Sequence, residues 1–164
     1  MTIEYINPFV ESVTGFFDTM LKCRVRRGEL TRSGPTASAE TTAIIGLSGP
    51  IRGTVAIILP RATATGMVKR LLGTDEAEAE ETISDGVAEI VNILAGAAKS
   101  KLPNNDGLIE LSLPTVIRGA DYTVEYPSDS VRLDMPFTSD LGPFTLRLTL
   151  QLRQKSLKKE ESPQ

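Results

Sequence analysis

The stretch TTAIIGLSGPIRGTVAIIL, residues 41–59, decides how the rest of the chain is read. Thr41 to Leu47 and Ile51 to Leu59 are rich in β-branched residues and flank the turn sequence Ser48-Gly49-Pro50, a pattern that predicts a β-hairpin. Pro60 has no amide to lend to a ladder and ends the second strand. Ala62, Ala64, Met67, Val68, Leu71 and Leu72 then recur at helical spacing until Gly73 stops them.

Upstream of the hairpin, Asn7-Pro8 reads as a helix start, because Asn caps free amides and Pro is tolerated at the first helical position. Phe9, Val10, Val13, Phe16, Phe17, Met20 and Leu21 carry an amphipathic pattern to about Lys22. Cys23 to Leu30, with Arg24, Arg26 and Arg27, suits an edge strand whose charges discourage pairing with another sheet, and a turn at Ser33 to Pro35 closes it.

Downstream, Asp75 to Glu81 packs five acids into seven residues, the mark of a solvated linker or a first helical turn. Thr82 and Asp85 have the spacing of a capping box, which predicts a helix from Thr82 to about Leu102, broken by Pro103-Asn104-Asn105-Asp106-Gly107. Strand-like segments follow at Leu108 to Leu113, Thr115 to Ile117, Tyr122 to Glu125, Val131 to Met135 and Phe144 to Leu152. Helices and hairpins do not alternate as βαβ units. The predicted fold is therefore α+β: two layers, with a mostly antiparallel β-sheet packed against about three helices. One domain is expected over residues 1–153, and the charged, aperiodic tail 154–164 is expected to be disordered.

Composition narrows the chemistry. The 164 residues are 40% apolar and 24% charged, with mean hydropathy -0.06, which is ordinary for a globular chain. There is no His and one Cys, Cys23, which excludes a His-based triad, a Cys-His dyad, a His-ligated metal and an internal disulfide. A net charge of -3 gives no electropositive footprint for nucleic acid. Apolar runs such as Val55 to Leu59 are far shorter than the ~20 residues that span a bilayer, and the first residues do not show the basic, apolar and small-residue pattern expected of a secretion signal. The expected compartment is the cytoplasm, with a reduced thiol.

The helix after the acidic run has two faces. At 100° per residue Ile83, Val87, Ile90 and Leu94 share one sector, widened by Val91 and Ala98, and this sector must face the core. Asp85, Glu89, Asn92 and Gly96, spaced four, three and four, form a row on the opposite side. Small residues lie on or beside that row at Ala88, Ala95 and Gly96, with Lys99 further along, so another surface can approach the helix closely. Gly96 costs about 1 kcal/mol relative to Ala inside a helix, which asks for a packing or functional reason.

Four pieces of sequence together resemble one family: Tyr5-Ile6-Asn7-Pro8-Phe9; Ile45-Gly46-Leu47-Ser48-Gly49 with Gly53-Thr54-Val55; Asp85-x-x-x-Glu89-x-x-Asn92-x-x-x-Gly96; and Leu113-Pro114-Thr115-Val116-Ile117-x-Gly119. Their order and spacing are similar to the CheX branch of the CheC/CheX/FliY chemotaxis phosphatases. The resemblance implies hydrolysis of the aspartyl phosphate on a CheY-like receiver. It also implies roles: Asn92 orients the attacking water, and Glu89 pairs with a Lys of the receiver. Asp85 matches the pattern too, although helix capping explains it from the residues alone. The receiver would supply the phosphorylated Asp, the Lys and Mg²⁺, so the chain needs no cofactor or metal of its own. Ala88, Gly96 and Lys99 would join Asp85 in the contact with the partner.

After Gly96 the family often has Asn-Ala-Lys where this chain has Ala97-Ala98-Lys99. The CheC branch repeats the motif on its first helix; here Asn7-x-x-x-Glu11-x-x-Thr14 keeps the acid but has Thr in place of the amide, so one active helix is expected. The resemblance further implies a homodimer joined through its sheet, with Val131 to Met135 a candidate edge. The rival reading is a noncatalytic adaptor that binds a receiver or a flagellar switch protein with the same fold. A small-molecule phosphatase finds no support in a P-loop, metal cluster or nucleophile. Outside the helix, Cys23 reads as a buried or half-buried thiol without a role, Arg24, Arg26, Arg27 and Arg32 as solvated charges, and Asp134 and Asp140 as turn or surface residues.

Overall fold

A computed structural model describes residues 3–32, 41–76, 79–103, 108–119, 122 and 124–151. The turn expected at Ser33 to Pro35, most of the break after Pro103, and the tail lie outside these residues.

The hairpin forms where the sequence places it. Strands β2 (Thr41–Ser48) and β3 (Arg52–Leu59) pair antiparallel with Ile45 opposite Val55. Strand β1 is Val25–Arg27, β4 Glu110–Leu111, β5 Thr115–Arg118, β6 Ser130–Ser139 and β7 Phe144–Gln151. The order across the sheet is β1-β6-β7-β3-β2, and β4 and β5 both pair with the free side of β2. Every pairing is antiparallel, as expected for the α+β class.

Strand alternation sends Ile45, Val55, Ile57, Leu133, Met135, Leu146 and Leu148 to one face, where they are buried with Phe9, Val13, Met67, Ile90 and Leu94 from three helices. These are α1 (Ile3–Phe16), α2 (Arg61–Leu72) and α3 (Glu80–Lys99). Helix α2 follows Pro60 directly and ends at Gly73, whose φ of 68° is the left-handed conformation glycine adopts without strain.

Several boundaries differ from the sequence reading, each for a local reason. Helix α1 begins at Ile3, so Asn7 lies within it and caps nothing. Pro8 is accommodated in the second turn with its ring buried, where its missing amide forgoes only one bond near the helix start. Beyond Phe16 the helix widens into a π-turn, Phe17–Leu21, which keeps both Phe17 and Leu21 buried and ends at Lys22 in the left-handed region, φ 51°. The Phe17 ring then stacks on Phe144, 5.5 Å between centroids.

Strand β1 is shorter than expected but does form an edge, with Arg26 and Arg27 exposed. Val131 to Met135 is not an edge: it belongs to β6, covered on one side by β1 and on the other by β7. Of the strand expected from Tyr122 to Glu125, the described residues Tyr122, Val124 and Glu125 are in no strand. Tyr122 shares a hydrogen bond with Thr42 on the sheet face away from the helices, and further along the same connection Tyr126 bonds to Arg147 and lies 5.6 Å under the Arg132 guanidinium. A tyrosine ring can cover apolar surface while its hydroxyl finds a polar partner, and these two rings fasten the connection to the sheet.

Asp134 is likewise not at the surface. It is cross-strand from Arg147, and the pair is buried and bidentate, with Arg147 Nε donating to Oδ1 at 2.7 Å and Nη2 to Oδ2 at 2.9 Å. The hydrogen bonds that Arg147 donates to Asp134 push its pKa above its ordinary value. Asp140 does serve a turn: its Oδ2 accepts the Arg24 amide at 3.0 Å.

Candidate functional site

Helix α3 starts at Glu80, two residues before the expected Thr82, and no side chain caps it. Ion pairs gather at that start. Arg61 at the start of α2 reaches Glu80 Oε1 at 2.8 Å, and Arg118 at the end of β5 bonds Oε2, so one carboxylate ties three elements together at the helix N-terminus. Acids in the first turn also suit the helix dipole. The capping box therefore does not form, and Asp85, in the second turn, is not a cap.

The apolar sector behaves as its spacing demands: Ile83, Val87, Ile90, Val91, Leu94 and Ala98 are all buried. Opposite them Asp85, Glu89, Asn92 and Gly96 are exposed in one row. Among the described residues none bonds the side chains of Asp85, Glu89 or Asn92. Glu89 and Asn92 are one turn apart, about 4.5 Å along the axis, so both tips can enter a single partner cleft.

The flanking residues sort differently from expectation. Ala88 and Lys99 are half-buried at the margin of the row, and Lys99 has an interaction of its own. Ala95 is fully buried and takes no part in the exposed surface. The longer helix adds one residue that the sequence reading left out. Glu81, four residues before Asp85, is exposed and in line with the row; its place in the acidic run was the only signal for it.

Helix α1 carries the imperfect copy, and its side chains are occupied. Lys101 Nζ holds Glu11 at 3.2 Å, and the Thr14 hydroxyl donates to the Val10 carbonyl of its own helix at 3.0 Å. A groove of about 650 Å³ between the π-turn and β1 is lined by Thr14, Asp18, Cys23, Arg24 and Arg26, among others, and none of the α3 row reaches it. Burial pushes the Cys23 thiol above its ordinary pKa, the opposite of what a nucleophile needs. Among the described residues no group of three or more Cys, Asp or Glu could hold a metal ion, and no helix is long and apolar enough to cross a membrane.

Fold and site together define a class: an α+β protein that shows an Asp-x-x-x-Glu-x-x-Asn row on the outer side of its longest helix. The family model described as chemotaxis phosphatase CheX matches residues 41–138, more than half of the chain, and the chain belongs to this family. Among solved structures it is similar to a CheC-like superfamily protein from Shewanella sp. PV-4, at 25% identity over 93% of this chain and 100% of that one, TM-score 0.81. A chemotaxis protein CheX from Desulfovibrio desulfuricans is 26% identical over 90% of this chain and 99% of its own, TM-score 0.78. The fold is also that of CheX from Borrelia burgdorferi, solved as a CheX-CheY-BeF3-Mg²⁺ complex, at 22% identity over 92% of this chain and 100% of that one, TM-score 0.78. No curated protein matches the sequence.

Proposed function

We propose that the chain is a phosphatase of a phosphorylated CheY-like receiver, acting through Glu89 and Asn92. The observation that carries this reading is the exposed, unpartnered pair on α3, in a chain of the CheX family. Family membership supports the activity, and the Borrelia complex supports the partner, since BeF3 with Mg²⁺ on an aspartate stands in for a phosphoryl group.

The receiver brings the aspartyl phosphate, a Lys and Mg²⁺. Glu89 forms an ion pair with that Lys and seats the helix. Asn92 accepts a hydrogen bond from a water through its amide oxygen and places the water in line with phosphorus. The water oxygen bonds to phosphorus as the bond from phosphorus to the aspartyl oxygen breaks, the carboxylate leaves, and the water's protons pass to phosphate and solvent. Positioning supplies most of the acceleration in such a transfer, so a chain without His or a nucleophile suffices. Asp85, no longer explained as a cap, joins Ala88, Gly96 and Lys99 in the partner contact. The working unit is a cytoplasmic homodimer joined through its sheet.

The test follows phosphate loss from a labelled CheY-type receiver with substoichiometric protein. Many turnovers per molecule, abolished when Mg²⁺ is chelated, are expected. Binding without acceleration would instead establish the adaptor reading.

A further inference from the structure

Helix α3 contains two glycines, and the structure explains only one. A Cβ at Gly86 would lie 2.5 Å from Val68 Cγ2, so glycine there lets α2 and α3 close together. A Cβ at Gly96 would meet nothing within 4 Å, and its backbone is not left-handed, so neither packing nor a C-cap calls for glycine. Gly15, in α1, is equally open, but it stands where that helix widens into the π-turn and its carbonyl accepts the Thr19 hydroxyl. Gly96 lies in regular helix that runs on to Lys99, where glycine is among the least favourable residues. It is exposed, and it falls in the same row as Glu89 and Asn92, four residues past the amide.

We infer that Gly96 is the close-approach point of the complex: the receiver lays its surface directly on the α3 backbone there, and the missing Cβ is what admits it. This rests on the receiver reading above and adds a direction to it. The partner's footprint extends at least one turn beyond Asn92 toward the helix C-terminus, so Asp85 to Gly96 spans about 16 Å of contact. Gly96 is thus a contact residue that sets affinity, with no part in the chemistry.

The test pairs two measurements on Gly96→Ala and Gly96→Leu: affinity for a beryllofluoride-loaded CheY-type receiver, and steady-state turnover of the phosphorylated form. Both variants should melt at or above the wild-type temperature, since each replaces glycine with a better helix former in open space. Affinity should fall about tenfold for Ala and a hundredfold or more for Leu, with KM carrying the loss and kcat changing less than twofold. Wild-type affinity in both variants would overturn the inference, and so would a kcat loss at unchanged KM. A wild-type protein that binds the loaded receiver without turnover would defeat the phosphatase reading while the affinities still decide the role of Gly96. One that does not bind it at all would overturn both.

Discussion

Asn92 and Asp134 show how much a single side chain's meaning depends on its surroundings. The exposed position of Asn92 was legible from spacing, because a helix places residues at three- and four-residue intervals on one face whatever else the chain does, whereas its role came only from the resemblance. Asp134 was not, because the register that sets it across from Arg147 is decided by long-range pairing of β6 with β7. A buried bidentate pair is intolerant of losing one member: Asp134→Ala should cost about 3–5 kcal/mol in urea unfolding, while replacing both partners with apolar residues of similar volume should cost far less. A loss below about 1 kcal/mol for the single variant would show that the pair is solvated. Thr14 makes the complementary point. Its mismatch to the family's amide was visible in the sequence, but that its hydroxyl is spent on the Val10 carbonyl could only be seen in the fold.

At the scale of elements, the hairpin and the buried sector of α3 were readable because each is periodic over many residues, whereas the ends of elements were not. Thr82 and Asp85 have the right spacing for a cap, but the helix starts at Glu80, whose carboxylate pairs with Arg61 and Arg118, 19 residues before and 38 residues after it, contacts that no local pattern shows. The π-turn and the Tyr122 connection escaped for the same reason: both follow from what the rest of the molecule presses against them. The two glycines of α3 turn this into a prediction of opposite signs. Gly86→Ala forces a methyl against Val68 and should destabilise the fold by about 1–3 kcal/mol despite its gain in helix propensity, whereas Gly96→Ala should stabilise it by up to about 1 kcal/mol. Denaturant titrations of the two variants side by side check the pair; equal shifts would contradict the packing assigned to Gly86.

At the scale of the molecule, composition had already removed most catalytic solutions, and the fold sets the exposed Asp85 to Gly96 row on a helix whose other side is buried against the sheet and the other two helices. On the proposed reading the phosphoryl group, the metal and the leaving carboxylate belong to the partner, which fits a site that is an exposed row and not a pocket. Among the described residues the sheet has two edges, β1 with its arginines and the outer side of β4 and β5. Sedimentation should give about twice the 17.7 kDa chain mass at tens of micromolar protein, and a monomer there would contradict the proposed dimer.

The measurement that bears most directly on the central claim is turnover of a phosphorylated CheY-type receiver by wild type, Asn92→Ala and Glu89→Ala, with receiver affinity measured in parallel. Asn92→Ala should bind the receiver as wild type does and lose essentially all acceleration, and Glu89→Ala should lose both affinity and rate. Acceleration that survives Asn92→Ala would contradict the water-positioning role and with it the mechanism.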